Sequence, residues 1–260
     1  MSGVNWDFAG RTALVTGAAG GIGEAIVRKL AAASADVVFS DLKEAEGRAL
    51  ESELRSGGAS VRFVVSDAAD EGQVKALVAA ALEVSGRLDV AINNVGGIAR
   101  SDDRRGRLHD TELAGWYATM DLNLTSCFLG MKHQLVAMLA AGGGAIVNLT
   151  SLAGMQWSES ASASYSAAKA GVIHLSKFAA IAYAASGVRV NVIAPGLTAT
   201  KTLLASIPDE EAREARAARV PMNRMIDPSE TADACLWACS DAASGVTGMV
   251  IPVDGGKAAV

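Results

Sequence analysis

The chain has 260 residues, half of them hydrophobic and a fifth charged, with a formal net charge of −5. That length and apolar content suit one globular α/β domain and exclude a disordered chain, and the acidic balance argues against a nucleic-acid binder. No apolar run reaches membrane-spanning length, Met1–Gly10 lacks the apolar core of a signal peptide, and Cys127, Cys235 and Cys239 read as reduced core thiols of a cytoplasmic protein, with no metal site expected.

Arg11–Thr16 is a short apolar run bounded by turn residues, which predicts a strand. Gly17-Ala-Ala-Gly20-Gly21-Ile22-Gly23 follows, and a helical pattern then runs to about Ala33. Strand, glycine loop and helix form the context of a phosphate-binding turn: glycines let the backbone approach a pyrophosphate, and the helix N-terminus offers N–H donors. A second strand, Asp36–Ser40, ends at Asp41, eighteen residues after Gly23, with Leu42 beside it. An acidic residue there accepts hydrogen bonds from a ribose and repels a 2′-phosphate, which favours NAD over NADP; Lys43 lies close, and Asp41 as an N-cap of the next helix is the alternative.

Glu44–Ser56 reads as a polar helix, Val61–Ser66 as a third strand ending at Asp67-Ala68, Asp70–Ser85 as a helix, and Leu88–Ile92 as a fourth strand leading into Asn93-Asn94-Val95-Gly96-Gly97. The alternation predicts a parallel sheet with helices on both faces, and ligands of such sheets bind at the carboxyl ends of the strands. Gly17, Asp41, Asp67, Asn93 and Asn94 all follow strand ends, so they share that edge. Arg100–Arg107 is a charged loop, either solvated or a rim of the active edge. A long helix is expected over Glu112–Leu139 with Asn123 in its middle; an asparagine buried there satisfies a local backbone group or has a functional task.

Ala145–Thr150 is the fifth predicted strand and ends at Ser151. The next helix runs from about Ser164 to Ala185 and carries Tyr165 and Lys169, four residues apart and so on one face. An ammonium beside a phenol favours the phenolate and makes the tyrosine usable as an acid or base near neutral pH. Gly187–Ile193 is the sixth strand, followed by Pro195-Gly196. Residues 197–227 are the least regular part, with a short charged helix over Asp209–Arg219, and read as a lid over substrate. Pro228–Ser240 is a helix and Met249–Val253 a last strand. Met155, Trp157, Leu197, Leu203 and Leu204 either wall an apolar substrate pocket or pack the lid.

With these pieces in order, the chain resembles the short-chain dehydrogenase/reductase family over nearly its whole length. The resemblance rests on Thr16-Gly17 with Gly21-Ile22-Gly23, Asp41, Asp67, Asn93-Asn94-x-Gly96, Asn123, Ser151, Tyr165 with Lys169, Pro195-Gly196 and Asp254-Gly255-Gly256. It implies one Rossmann-like, doubly wound domain of about seven parallel strands over residues 1–260. It also implies Tyr165 as catalytic acid/base, Lys169 as its electrostatic partner and a nicotinamide-ribose ligand, Ser151 as a hydrogen bond to the substrate oxygen, and Asn123 as holder of a relay water. Asp67 and Ala68 would contact adenine, and Pro195 to Thr200, with Thr198 and Thr200, would line the nicotinamide; Gly97 falls at the substrate side. Homodimers or homotetramers that pair through the two long helices are implied as well. Three features depart from the family pattern: Val95 stands where alanine is usual, Ser151 and Tyr165 are fourteen residues apart instead of about thirteen, and the charged loop is longer. The expected activity is NAD-dependent interconversion of a secondary alcohol and a ketone, on a hydrophobic or cyclic compound. NADPH-dependent carbonyl reduction and NAD binding without turnover are the alternatives.

Overall fold

The computed structural model describes residues 6–103, 107–207 and 209–260. Seven strands form one sheet: β1 (Thr12–Thr16), β2 (Asp36–Asp41), β3 (Val61–Val65), β4 (Val90–Asn93), β5 (Gly144–Leu149), β6 (Val188–Pro195) and β7 (Val250–Val253). They are hydrogen-bonded in the order β3-β2-β1-β4-β5-β6-β7, every pair parallel. The direction of winding reverses between β1 and β4, and a crevice opens there beyond the carboxyl ends of the strands.

The near-continuous apolar runs follow from covering both faces of the sheet. Ala13 and Val15 of β1 pack with Ile26, Leu30, Leu50, Cys235 and Leu236. These belong to α1 (Gly21–Ala32), α2 (Glu44–Ser56) and α9 (Pro228–Cys239). Leu14 points the other way, among Leu77, Val78, Cys127, Met131, Val172 and Ala180. Those sit on α3 (Glu71–Ser85), α5 (Ser126–Ala141) and α6 (Ala163–Tyr183). Each strand therefore splits its side chains between two cores with a period of two.

The predicted helix over Glu112–Leu139 is three pieces: α4 (Leu113–Met120), a π-helical turn (Asp121–Thr125) and α5. In the wide turn the Ser126 N–H reaches back five residues to Asp121. The Leu122 carbonyl thereby loses its usual partner, and the Ser126 hydroxyl donates to it at 2.8 Å. The irregular segment after β6 contains an unexpected short helix, α7 (Lys201–Ala205), besides α8 (Glu210–Ala217), which is the predicted charged helix. At the base of this segment the Ala199 N–H donates to the Ile226 carbonyl and the Ile226 N–H to Leu197, a short parallel bridge. The three cysteines are unpaired and buried, and burial pushes Cys127 and Cys239 up to about 12. No described helix is long and apolar enough to cross a membrane.

Candidate active site

A cleft of about 1690 Å³ runs along the carboxyl edge of the sheet. Gly17, Gly20, Ile22, Asp41, Leu42, Asp67 and Ala68 line one end, and Asn94, Gly96, Gly97, Ser151, Trp157, Tyr165, Lys169, Pro195, Gly196, Leu197, Thr198, Thr200 and Leu203 line the rest. Most of the residues singled out in the sequence thus meet in one place. Gly21 and Gly23 shape the loop without facing the cleft, and Met155 and Leu204 lie off it.

The glycine loop owes its form to close approaches. Gly17 has φ +65°, and a Cβ there would stand 3.0 Å from Val95 Cγ2, so the bulkier Val95 is accommodated because residue 17 has no side chain. A Cβ on Gly23 would fall 2.3 Å from the Gly17 carbonyl oxygen and 2.7 Å from Asn94 Nδ2. Asn94 itself donates to the Gly17 carbonyl at 2.7 Å and so ties β4 to the loop.

Asp41 does not cap α2, whose N-cap is Lys43. Its carboxylate accepts from the N–H groups of Ala19 and Lys43, both at 3.0 Å, which spends one lone pair on each oxygen and leaves others for a ligand. The Ser66 hydroxyl, buried on the cleft wall beside Asp67, has no partner in the protein. A free buried hydroxyl, a carboxylate with spare acceptors and a glycine loop opening α1 together fit an adenine dinucleotide.

Asn93 is a correction to the expected cofactor set. Its side chain is turned into the core, exchanging hydrogen bonds with Gln134 at 2.8 and 2.9 Å and donating to Asn148 at 2.8 Å. Asn148 continues the chain to Ser176. The network satisfies polar groups between sheet and helices and does not reach the cleft.

Lys169 is 3 % exposed. Its Nζ donates to the Leu149 carbonyl at 3.1 Å and lies 5.7 Å from the centroid of the Tyr165 ring. Burial lowers its pKa from the usual 10.5 to about 8. Gly96 makes room for it: a Cβ there would sit 2.5 Å from Lys169 Nζ and 2.8 Å from Asn123 Oδ1. Asn123, fully buried in the π-helical turn, donates to the carbonyls of Gly97 and Thr119 and accepts from the Gly97 N–H. Both of its N–H donors are therefore committed to protein. Ser151 accepts from the Ala153 N–H, so its own proton is available to a ligand. Gly154 lets the turn after Ser151 lie against α6, since a Cβ would be 2.7 Å from the Lys169 carbonyl carbon.

Asp102 escaped the sequence reading. It lies in the charged stretch Arg100–Arg107, of which 104–106 fall outside the described residues. Far from being solvated, it is 7 % exposed, and Oδ2 accepts from the hydroxyls of Thr119 at 2.8 Å, Ser162 at 2.6 Å and Ser164 at 2.5 Å. Ser162 is the N-cap of α6 and accepts from the Tyr165 N–H. A buried carboxylate thus fastens the loop after β4 to α4 and to the first turn of the helix that carries Tyr165, where its charge suits the helix dipole.

Comparison with known proteins agrees with this geometry. A family model described as enoyl-(acyl carrier protein) reductase matches residues 17–258. Cis-4-hydroxycyclohexanecarboxylate dehydrogenase of Sinomonas cyclohexanicum is 44 % identical, the match covering 97 % of this chain and 98 % of that protein. Cyclohexanol dehydrogenase of Acinetobacter sp. (strain SE19) is 35 % identical, with 95 % of each chain covered. The solved structure of a short-chain type dehydrogenase/reductase from Mycobacterium ulcerans superposes with a TM-score of 0.90 at 32 % identity, covering 97 % of this chain and 91 % of that one.

Proposed function

The chain belongs to the short-chain dehydrogenase/reductase family, and from that premise we propose that it interconverts a ring-borne secondary alcohol and its ketone, with NAD as redox partner. The observation that carries this reading is the convergence of Ser151, Tyr165 and Lys169 on one cleft, beside a glycine loop, with Asn123 packed behind Gly96. The dehydrogenases of S. cyclohexanicum and Acinetobacter act on cyclohexane-ring alcohols and support a cyclic substrate, as do the apolar Trp157, Leu197 and Leu203 on the cleft wall.

The bound nicotinamide supplies the acceptor for the hydride of the carbinol carbon. Tyr165 takes the proton of the substrate hydroxyl, and Ser151 donates a hydrogen bond to the same oxygen. Lys169, held by the Leu149 carbonyl, favours the phenolate of Tyr165 by its charge. Asn123 has spent its side-chain donors, so a relay water would meet its remaining acceptor sites: the second lone pair of Oδ1 and that of the main-chain carbonyl, which already accepts from the Ser126 hydroxyl at 3.3 Å. Tyr165→Phe should lower kcat/KM by about 10²–10⁴-fold while the affinity for NAD, read by calorimetry, stays near that of the parent. Turnover retained in that variant would remove Tyr165 from the mechanism.

NAD is favoured because Asp41 presents a carboxylate where a 2′-phosphate would sit. Exposed Lys43 lines the same end of the cleft and is the one feature on the side of NADP. Initial rates should give a higher kcat/KM with NAD, and Asp41→Ser should narrow the gap; a parent enzyme that prefers NADP would reverse the assignment. We further propose a homodimer or homotetramer built on α5 and α6, and a cytoplasmic location, where the three unpaired thiols would stay reduced.

A further inference from the structure

We infer that the lid end of the cleft is a carboxylate receptor formed by Arg216 and Lys257, so that the substrate carries an anionic group away from its hydroxyl. This rests on the ring-alcohol reading above and names its substrate class.

Apart from Lys169 at the catalytic centre, the charged side chains of the cleft fall into two groups. Asp41, Lys43 and Asp67 lie at the nucleotide end, while Glu159, Arg216, Arg219 and Lys257 line the walls made by α8, the turn after β7 and the loop after Ser151. Glu159 is already taken by an ion pair with Arg219 that joins that loop to the end of α8. Among the described residues the side chains of Arg216 and Lys257 make no hydrogen bond or ion pair. Two cations therefore line a concave, partly apolar cleft with no carboxylate bound to either side chain among the described residues, and such a site attracts anions.

The two come from distant parts of the chain, and packing sets the final turn against the segment that follows α8. Gly255 has φ +65°, and a Cβ there would be 2.5 Å from Val220 Cγ1, so the final turn lies flush on the residue that follows Arg219. The Met222 N–H donates to the Gly255 carbonyl at 3.1 Å. Asp254 stiffens the turn by accepting from the N–H groups of Gly256 at 2.8 Å and Ala258 at 2.6 Å, on either side of Lys257. The dinucleotide's own phosphates have their donors at the glycine loop. An anion between Arg216 and Lys257 is thus a different group, joined to the reacting carbon by the apolar body that Trp157 and Leu203 would contact.

The full chain, with NAD, is assayed on 4-hydroxycyclohexanecarboxylate and on its neutral carboxamide. The acid should be preferred in kcat/KM, and Arg216→Gln with Lys257→Gln should shrink the acid-to-amide ratio by roughly tenfold or more, the usual loss for a hydrogen bond to a charged group. Arg216→Lys, which keeps the charge, should restore part of it, and added salt should erode the ratio. Equal use of acid and amide by the parent would overturn the receptor while leaving the ring-alcohol reading intact. Failure to oxidise either compound would count against that reading. Calorimetry of cyclohexanecarboxylate and cyclohexanecarboxamide on the NADH-bound protein then decides the receptor without turnover: tighter binding of the acid, lost in the double variant, supports it, and equal binding overturns it.

Discussion

Burying Lys169 in the site carries an energetic cost. Below pH 8 it is protonated in both the folded and the unfolded chain, and folding carries the whole penalty of burying the charge. Between about 8 and 10.5 the unfolded chain holds a proton that the folded one has released, so this group makes stability rise with pH across that window, by on the order of 3 kcal/mol. Lys169→Met should therefore be more stable than the parent at pH 7, by about 1–3 kcal/mol. That advantage should fade toward pH 10 while turnover drops about 100-fold or more. Denaturant titration of the cofactor-free proteins at both pH values checks this, and an advantage that grows with pH would contradict it. The Tyr165–Lys169 pair was legible because four-residue spacing on a helix puts two side chains on one face. The burial that sets the lysine pKa was not, since it comes from packing against Leu149 and Gly96 on other elements.

At the scale of elements, α6 is aimed by contacts that no periodicity reveals. Asp102 draws three hydroxyls from α4 and the first turn of α6 onto one oxygen, and its burial depends on their being there. Read alone, a stretch of arginines and aspartates is a solvated loop, and the sequence offered no sign that one carboxylate turns inward. Asp102→Ala should leave buried hydroxyls without an acceptor and destabilise the protein by about 3 kcal/mol. It should also lower kcat more than the affinity for NAD, because Tyr165 is reached through the N-cap Ser162 while the glycine loop is not. Asp102→Asn should recover most of both. A variant whose melting temperature falls while its kcat holds would reduce Asp102 to a structural anchor. The π-helical turn was hidden for a related reason: its residues, Asp121 to Thr125, suit an α-helix, and the extra width serves the Asn123 bonds to Gly97 on another segment.

For the whole molecule, the βα alternation was sufficient to foresee a parallel sheet and its ligand edge, but strand order and the route of the segment between β6 and α9 are set by tertiary packing. The outer faces of the long helices carry exposed large apolar side chains: Val136 at 67 % on α5, and Phe178 at 67 % and Ile181 at 84 % on α6. These are the helices on which the proposed oligomer is built, and exposed apolar side chains there would be covered by it. Phe178→Glu with Ile181→Glu should convert the proposed oligomer into monomers in sedimentation velocity. A parent that sediments as a monomer, or a variant that stays assembled, would exclude this face.

The segment between β6 and α9 touches both ends of the cleft. Thr200 Cγ2 lies 3.3 Å from where a Cβ on Gly21 would be, at the glycine loop, and Arg219 grips Glu159 at the substrate mouth. One span of chain thus borders both the glycine loop and the substrate mouth, so a substitution that shifts it acts on both compartments at once.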